Sequence, residues 1–416
     1  MRILYISQYF PPEMGAPSAR VHELSREWVR MGHEVTVVTG FAHHPTGRKA
    51  AGDRYRLTRR EFVDGIDVVR SYVWATANKG IVKRMVSYAS FMVSAAVIGS
   101  LRAKNPDVVI ATSPQLLCGL AGYLVARRFG APFVFEVRDL WPESILAVEA
   151  MQENFVVRSL RGLASFLYSH STRIVTVGNG YKQEINERYG IPLGHMEVVP
   201  NGIDTSLFVP KRRENELRRE FGWGDRFVVL YVGTLGMAHA LNSVLGAAEK
   251  LRDRPDILFV FVGEGAEKDN LKNLAFKKSL HNVQFIDQQP KHRMPLLYGA
   301  CDIGLVTLRA AKLFQSVLPS KMFEYLGMEK PVIVSVDGEA RELVERAQSG
   351  WYVPPEDAEA LSDAVVRGYQ DTELLSGMGE RGRNYVLQRY TRDFLAAQYI
   401  DLLKRLLKSP LRCARL

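Results

Sequence analysis

Short apolar segments rich in β-branched residues alternate with helix-forming segments along nearly the whole chain, and this alternation starts twice. The first series opens with Arg2–Ser7, and the second runs from Arg226–Gly233 to Pro331–Ser335. Strands that alternate with helices form parallel sheets whose connections are crossover helices. The sequence therefore predicts an α/β fold made of two Rossmann-like parallel-sheet domains.

A charged stretch between the two series, PNGIDTSLFVPKRRENELRREFGWGD, marks the predicted domain boundary. We place an N-terminal domain at residues 1–205 and a C-terminal domain at residues 206–390, and the 416-residue chain is long enough for both. Ligands of open parallel sheets bind outside the carboxyl ends of the strands. We therefore expect the loops after the strands to face a central cleft between the domains.

The chain carries a net charge of +10 and has a pI of about 9.4, which favours an anionic partner such as nucleic acid, acidic lipid or a phosphorylated substrate. Nucleic acid is the least favoured, because we find no recognised module and no interleaving of aromatic and basic residues. Cys118, Cys301 and Cys413 have no disulfide or metal spacing, which predicts a reducing compartment. Since the chain opens on a strand and not on a signal peptide, we expect a cytoplasmic location.

The uncharged apolar segment Met85–Leu101 could contact lipid. Basic residues flank it on both sides: Lys79, Lys83 and Arg84 before it, Arg102 and Lys104 after it. The segment is slightly short for a membrane-spanning helix, which needs about 20 apolar residues. Two interpretations stay open: a core helix packed on a sheet, or a helix on an anionic membrane surface with its basic flanks near the lipid head groups.

The segment PSKMFEYLG combines a helix start with a lysine and a glutamate one helical turn apart. Ser320 is predicted to be the N-cap, and Lys321 lies in the first turn, where the helix dipole favours a phosphate. Glu324 follows on the same face, and its carboxylate could accept both hydroxyls of a ribose. The spacing predicts a site for a nucleoside diphosphate, and the alternative is a surface ion pair between Lys321 and Glu324.

Glycines at strand-to-helix transitions could bring backbone N–H groups close to an anion. Gly15 follows the first strand, Gly233 and Gly263 follow two strands of the second series, and Gly338 and Glu339 open a later helix. Each alone is a weak signal, and an ordinary turn is the alternative. The spacing G-x-G-x-x-G is absent, so the sequence does not predict a dinucleotide-binding fingerprint.

Arg138 and Asp139 stand at a strand end in FEVRDLWPES, a position that favours chemistry over packing. Asp139 could orient or deprotonate an acceptor hydroxyl, and Arg138 could hold a phosphate. A simple ion pair between the two side chains is an equally good interpretation.

The segments VVPNGID, FVGEG and PSKMFEYLGMEKPVIVSVDGEARELV resemble, in order and spacing, the motifs of retaining nucleotide-sugar glycosyltransferases of the GT-B fold, family 4. The N-terminal ILYISQYFPPEMGAPSARVHEL is similar to the group that builds bacterial O-antigen, capsule and exopolysaccharide, including N-acetylfucosamine and fucose transferases. The likeness covers nearly the whole chain.

This resemblance implies that the N-terminal domain binds the acceptor and that the C-terminal domain binds the donor. It implies that the final helix, residues 391–416, packs back on the first domain. Gly15 would approach the donor phosphates, and Glu324 would bind the ribose. The backbone of Gly338 and Glu339 would contact the phosphate or the donor sugar.

The chain departs from the family pattern at several positions. The first glutamate of the family's pair is replaced by Ser316, and the usual phosphate-binding arginine and lysine fall on Thr234 and His239. We therefore expect Lys321 to be the phosphate-binding cation, supported by Arg138 or His239. Arg138 also stands where the family often has a histidine.

The resemblance implies transfer of a sugar, with retention at the anomeric carbon, from a nucleotide diphosphate-sugar to a lipid-linked saccharide. UDP is the expected nucleotide, an N-acetylated amino sugar is one expected donor, and polyprenyl diphosphate at the inner face of the cytoplasmic membrane is the expected carrier. Asp139, Arg138 and Lys321 are the predicted catalytic residues, and neither a metal nor a cofactor is implied. A sugar-nucleotide epimerase or hydrolase, and a non-catalytic nucleotide-sugar-binding protein at the membrane surface, stay open as alternatives.

Overall fold

The computed structural model describes residues 1–43, 47–76, 81–148 and 152–408, and Lys79 and Cys413 lie outside this range. The chain divides into two units. Unit 1 contains Met1–Pro200 and the helix that begins at Arg392, and unit 2 contains Asn201–Thr391. The prediction of two parallel-sheet α/β domains is confirmed.

Eight strands in the described part of unit 1 form one sheet. They are β1 (Arg2–Ile6), β2 (Glu34–Gly40), β3 (Thr58–Val63), β4 (Ile66–Ser71), β5 (Val108–Thr112), β6 (Phe133–Val137), β7 (Arg173–Thr176) and β8 (Met196–Val198). The helices between them are α1 (Ala16–Arg30), α2 (Ile81–Arg102), α3 (Leu116–Phe129), α4 (Glu143–Ala147), α5 (Phe155–His170) and α6 (Asn179–Tyr189).

The strand order in unit 1 is β3-β4-β2-β1-β5-β6-β7-β8. All neighbours run parallel except the edge strand β3, which pairs antiparallel with β4. Every residue of β5 and β6 is buried, as expected for parallel strands that carry helices on both faces. This arrangement brings the carboxyl ends of the neighbouring strands β1, β5 and β6 to one edge of the sheet.

Unit 2 contains a six-stranded sheet in the order β11-β10-β9-β12-β13-β14, and all its neighbours run parallel. The strands are β9 (Phe227–Val232), β10 (Ile257–Val262), β11 (Val283–Ile286), β12 (Ile303–Thr307), β13 (Val332–Ser335) and β14 (Gly350–Tyr352). The helices are α7 (Glu216–Glu220), α8 (Leu241–Lys250), α9 (Lys268–Lys277), α10 (Met294–Ala300), α11 (Ser320–Gly327), α12 (Glu339–Ala347), α13 (Ala358–Gln370) and α14 (Thr372–Arg389).

The last described helix, α15 (Arg392–Lys408), belongs to unit 1 and packs against α1. The indole of Trp28 donates a hydrogen bond to the carbonyl of Ala396 at 3.1 Å, and the Tyr399 ring meets the Trp28 ring edge-on. The buried guanidinium of Arg392 donates to Glu23 at 2.8 Å. These contacts connect the last described segment of the chain to the first helix.

Candidate functional site

The predicted phosphate-binding lysine lies in unit 2, on the first turn of α11. Its Nζ atom is buried and hydrogen-bonds to no residue that the structure describes. It lies 3.7 Å from the centroid of the Tyr231 ring, at the end of β9. Burial lowers the pKa of Lys321 to about 7, and Glu324 partly offsets that effect. The hydrogen-bonded surface ion pair between Lys321 and Glu324 is therefore not formed.

Two predicted glycine loops lie beside this ammonium group. A Cβ atom built on Gly233 would be 3.0 Å from Lys321 Nζ, and a Cβ on Gly263 would be 1.9 Å from the carbonyl oxygen of Gly233. Both glycines have φ angles, +139° and +149°, that side chains rarely adopt. These φ angles and the approach of Gly263 to the Gly233 carbonyl favour glycine at both positions, so neither position places a side chain against the ammonium group.

His239 completes the same group of residues. Its Nδ1 is buried with no hydrogen-bond partner among the described residues, and its ring meets the Tyr231 ring at 5.9 Å. Burial and the neighbouring Lys321 lower the pKa of His239 to about 3. The imidazole is therefore neutral at pH 7. We call Tyr231, Gly233, His239, Gly263 and Lys321 the Lys321 cluster.

Thr234 takes part through its backbone. Its carbonyl oxygen accepts a hydrogen bond of 2.8 Å from the Tyr231 hydroxyl, while its side chain is exposed. The family's arginine position is thus occupied by an uncharged side chain, and Lys321 is the cation of the Lys321 cluster.

Glu324, one helical turn after Lys321, accepts a hydrogen bond of 2.5 Å from the Tyr298 hydroxyl. The Tyr298 ring packs edge-on against Tyr325, with 4.7 Å between the centroids. Because both tyrosines are fully buried, the Glu324 carboxylate is held in a fixed orientation. Sequence reasoning missed Tyr298, which lies on α10 and gives no local signal.

The start of α11 differs from the prediction. Pro319 occupies the N-cap position, and Ser320 is the first helical residue and forms no capping hydrogen bond through its side chain. The prediction of Ser320 as N-cap is wrong, because Pro319 is the last residue with extended backbone (φ −63°, ψ 129°) and the helix already includes Ser320. Binding of a donor by Ser320 stays a prediction.

Gly338 lies at the N-cap of α12 with φ +76°, and Glu339 is the first helical residue. A Cβ atom on Gly338 would be 2.1 Å from the carbonyl oxygen of Gln315. The loop before α12 therefore packs directly on the short turn that ends at Ser316, the position of the family's first glutamate. Ser316 is buried.

Arg138 in unit 1 is a further cation whose buried nitrogens have unused hydrogen-bonding capacity. Its Nε and Nη1 atoms are buried and hydrogen-bond to no described residue, and burial lowers the pKa of Arg138 to about 10. The nearby Glu136 already forms a buried ion pair with Arg20 at 3.1 Å and accepts a hydrogen bond of 2.7 Å from Tyr5. Arg138 is thus left without a carboxylate for these two nitrogens.

Asp139 does not pair with those nitrogens. Its carboxylate accepts a hydrogen bond of 3.2 Å from Ser144 Oγ on α4, and burial raises the pKa of Asp139. The backbone N–H groups of Arg138 and Asp139 both donate to Ser113 Oγ, at 2.7 and 3.2 Å. This loop is fixed by β5, and the role of Asp139 in catalysis stays a prediction.

Gly15 is the N-cap of α1, with φ +127° and no capping side chain. The first N–H groups of such a helix have no partner within it. Among the described residues, no group of three or more His, Cys, Asp or Glu could hold a metal ion.

A cavity of about 720 Å³ lies in unit 2, away from the Lys321 cluster. Phe227, Asp302 and Pro331, at the amino ends of β9, β12 and β13, line it together with Lys330. The predicted site residues are at the carboxyl ends of the same strands. The cavity therefore does not coincide with the predicted site.

Comparison with known proteins identifies two sequence families along the chain. Residues 15–202 match the family "Glycosyl transferase 4-like domain", and residues 213–385 match "Glycosyl transferases group 1". The putative colanic acid biosynthesis glycosyl transferase WcaI of Escherichia coli K12 is 25% identical over 96% of this chain and 99% of its own length. The probable glycosyltransferase WbjE of Pseudomonas aeruginosa is 26% identical over 73% of this chain and 74% of its own.

Solved structures show the same fold. Sucrose-phosphate synthase of Thermosynechococcus elongatus superposes with a TM-score of 0.80 at 17% identity, over 98% of this chain and 100% of its own. Anabaena HepE in complex with UDP and glucose has a TM-score of 0.73 at 18% identity, over 97% and 99% of the two chains.

Proposed function

Since the chain belongs to the family 4 glycosyltransferases and has the GT-B fold, we propose that it transfers a sugar from a nucleotide diphosphate-sugar to a lipid-linked saccharide in the synthesis of a bacterial surface polysaccharide. The proposed transfer retains the configuration of the anomeric carbon. The relative WcaI, named for colanic acid biosynthesis, favours the surface-polysaccharide role.

The Lys321 cluster is the observation that carries this proposal. A buried ammonium group that hydrogen-bonds to no described residue, next to two glycine loops, is what a leaving diphosphate needs. Negative charge grows on the diphosphate as the glycosidic bond breaks, and a fixed cation there lowers the barrier by about 3 kcal/mol. Glu324 would accept the ribose hydroxyls, since Tyr298 already fixes its orientation.

The proposed donor is a UDP-sugar, and an N-acetylated amino sugar is one candidate for the sugar that is transferred. HepE, which shares the fold, has been solved with UDP and with UDP-glucose. Gly338 and Glu339 would contact the phosphate or the sugar, and the free N–H groups at Gly15 would approach the phosphates. In the proposed reaction Lys321 supplies the positive charge that a metal ion could otherwise supply, so transfer should proceed without added metal.

The acceptor would bind to unit 1. Arg138 offers two buried nitrogens for a phosphate of polyprenyl diphosphate. Asp139 would orient or deprotonate the acceptor hydroxyl, and its burial, which raises the pKa of the carboxyl group, would help it to accept a proton.

Binding and turnover test the proposal together. We expect UDP or a UDP-sugar, with EDTA present, to raise the melting temperature by mass action, while GDP- and TDP-sugars do not. The selected donor should then be consumed only in the presence of a polyprenyl diphosphate-linked saccharide. Consumption without acceptor would favour an epimerase or hydrolase, stabilisation without consumption would favour a binding protein, and no stabilisation by any nucleotide would overturn the proposal.

We further propose that α2 attaches the enzyme to the inner face of the cytoplasmic membrane. Its inner side packs on the sheet, because Ser94 Oγ lies 3.3 Å from Ser71 Oγ of β4 and Phe91 is buried. Its outer side exposes an apolar stripe of Val86, Val93, Val97 and Leu101, each between 46% and 74% exposed. The helix from Lys83 to Arg102 has the length and hydropathy of a membrane span, but such a window also fits a helix that lies on the membrane.

Neighbouring residues extend this stripe into a face. In the β3–β4 register, Phe62 pairs with Asp67, which lies on the same side of the sheet as Ser71. Phe62 on β3 and Leu124 on α3 are both exposed. Neither α2 nor α3 contains an acidic residue, whereas both end in exposed arginines. This charge pattern favours anionic lipid.

The edge strand corrects one expectation from the sequence. Aromatic and basic residues do interleave between Arg54 and Phe62: the Arg54 guanidinium lies 5.6 Å from the Tyr55 ring, and that of Arg60 lies 5.7 Å from the Phe62 ring. Both rings are more than 70% exposed. We assign the β3 part of this pattern, Arg60 and Phe62, to the membrane face, since the two alternate residues lie on the same side of the sheet.

Vesicle co-sedimentation tests the attachment. The protein should bind phosphatidylglycerol vesicles and not phosphatidylcholine vesicles, and Val93→Glu with Val97→Glu should abolish binding. Phe276→Glu is the matched control, since Phe276 is an 86% exposed apolar residue on α9 of unit 2. A protein that binds UDP but neither kind of vesicle would overturn the attachment and leave the transferase proposal intact.

A further inference from the structure

Tyr231 holds Lys321 without neutralising it. The ammonium group lies 3.7 Å from the ring centroid, and no described residue accepts a hydrogen bond from it. The negative face of an aromatic ring attracts a cation electrostatically. Unlike a carboxylate, the ring offers no oxygen that would compete with an incoming phosphate for the N–H groups of the lysine.

The Tyr231 ring is itself fixed. Tyr231 is the penultimate residue of the buried strand β9, and its hydroxyl donates a hydrogen bond to the Thr234 carbonyl at 2.8 Å. Its ring packs against Phe261 of β10 at 6.2 Å and against His239 at 5.9 Å. A ring held at its hydroxyl and by two neighbours can determine where the flexible lysine side chain places its charge.

The nearby polar groups do not perform this task. Glu324 attracts the lysine, but its carboxylate is held by Tyr298 and accepts no hydrogen bond from Nζ. His239 is neutral, because burial and Lys321 lower its pKa, so it adds no second charge that could hold or displace the ammonium.

We propose that Tyr231 is a positioning residue, whose ring holds the Lys321 ammonium beside Gly233 as a cation free to bind the diphosphate of the donor. This role rests on the proposed function, since it requires a nucleoside diphosphate at the Lys321 cluster. The tyrosine hydroxyl would serve only to fix the ring through Thr234.

Fluorination of the ring tests this role without changing its shape. Phenylalanine and its mono-, di- and trifluorinated forms are placed at position 231, and the affinities for UDP and for uridine are measured by calorimetry and ligand-observed NMR. Each fluorine withdraws charge from the ring face. We expect UDP affinity to fall stepwise, by about tenfold in total, while uridine affinity stays constant because uridine has no phosphate for Lys321.

The same series at position 259 is the matched control, because Phe259 is buried in the same core of unit 2 and is not one of the residues that fix the Tyr231 ring. It should leave both affinities unchanged. Tyr231→Phe should bind UDP within about threefold of the wild type, since the ring remains. In the background of Lys321→Met, fluorination at position 231 should have no further effect.

Three outcomes separate the possibilities. A flat series at position 231 in a protein that binds UDP would overturn the positioning role alone. Equal losses for UDP and uridine would show a merely structural ring and would also overturn it. A wild-type protein that binds neither UDP nor uridine would overturn the proposed function, and the positioning role with it.

Discussion

Each unit buries a cation near the carboxyl end of a parallel strand, β6 for Arg138 and β9 for Lys321, but the two cations have different surroundings. Arg138 in unit 1 lies near a buried ion pair formed by Glu136 and Arg20, whereas Lys321 in unit 2 lies over the uncharged ring of Tyr231. Burial lowers the pKa of both, to about 10 for Arg138 and about 7 for Lys321. Arg138 is therefore charged throughout the physiological range, while the free protein holds Lys321 close to its titration point.

The difference teaches how the surroundings of a cation determine its response to a ligand. Burial raises the pKa of Glu136, but Arg20 and Arg138 lower it by more, so the Glu136 carboxyl group is charged. Its charge therefore keeps Arg138 protonated with or without substrate. Glu324 only partly offsets the effect of burial on Lys321, so a diphosphate that binds there should raise the pKa of Lys321 and complete its charge.

The largest effect should come from the carboxylate on which the unit 1 arrangement depends. Glu136→Gln leaves Arg20 and Arg138 buried without a negative partner, and breaking a buried ion pair in this way costs about 3–5 kcal/mol. Urea unfolding followed by signals from unit 1 should show this loss. Glu187→Gln, at an exposed position on α6, is the control and should change stability by less than about 0.5 kcal/mol. A loss as small as the control's would show that Arg138 does not depend on Glu136.

Glu324 and Asp139, the carboxylates that follow the two cations in sequence, should act on different substrates, the donor and the acceptor. We expect Glu324→Ala to lower UDP affinity by about 10- to 100-fold and to abolish most turnover, because the ribose hydroxyls lose their acceptor. The discrimination between UDP and its deoxyribose analogue should disappear with it. Asp139→Asn should leave UDP affinity unchanged and lower only transfer to the acceptor. Equal UDP affinities for Glu324→Ala and the wild type would sink the ribose assignment.

The cations themselves give the next largest contrast. Lys321→Met should lower UDP affinity by about 10- to 100-fold, whereas Arg138→Met, the matched change in unit 1, should leave it within about twofold and raise the KM for acceptor. Isothermal titration calorimetry and steady-state transfer assays separate the two. Loss of UDP affinity in Arg138→Met would show that both cations serve the donor.

The contrast between the units was only partly predictable from the sequence. Alternating apolar strands and helices predicted both sheets, and the glycines at strand ends predicted the loops at Gly233 and Gly263. Parallel strands end at a common edge, so this pattern also brought Lys321 to those loops. The Lys321 cluster was predictable in part because it depends on where strands end, which is a local property of the sequence.

The features that the sequence did not predict depend on contacts between residues that are far apart along the chain. Tyr231 looks like an ordinary core aromatic within an apolar strand, and nothing near it in sequence points to a lysine 90 residues later. Arg138 and Asp139 are adjacent along the chain, but they lie in the bend after β6, where the Asp139 carboxylate accepts a hydrogen bond from Ser144, so adjacency did not make them a pair. The edge strand β3 was also missed, because its three consecutive charged residues, Arg59, Arg60 and Glu61, break the apolar pattern used to find strands.

The smallest effect, and the most specific to the comparison, is a dependence on pH. Lys321 has a lowered pKa of about 7 in the free protein, and bound phosphate should raise it, so UDP binding takes up a proton above pH 7. Affinity must then fall as pH rises, by about fivefold between pH 7 and pH 8 if the bound form stays protonated. Calorimetry in two buffers of different ionisation enthalpy would measure this proton uptake directly. Lys321→Arg should remove the dependence, because a guanidinium stays charged, while Arg138→Met should retain it. A wild-type affinity that is flat from pH 6 to pH 9 would mean that Lys321 is fully charged before the donor arrives and that the two units hold their cations in the same way.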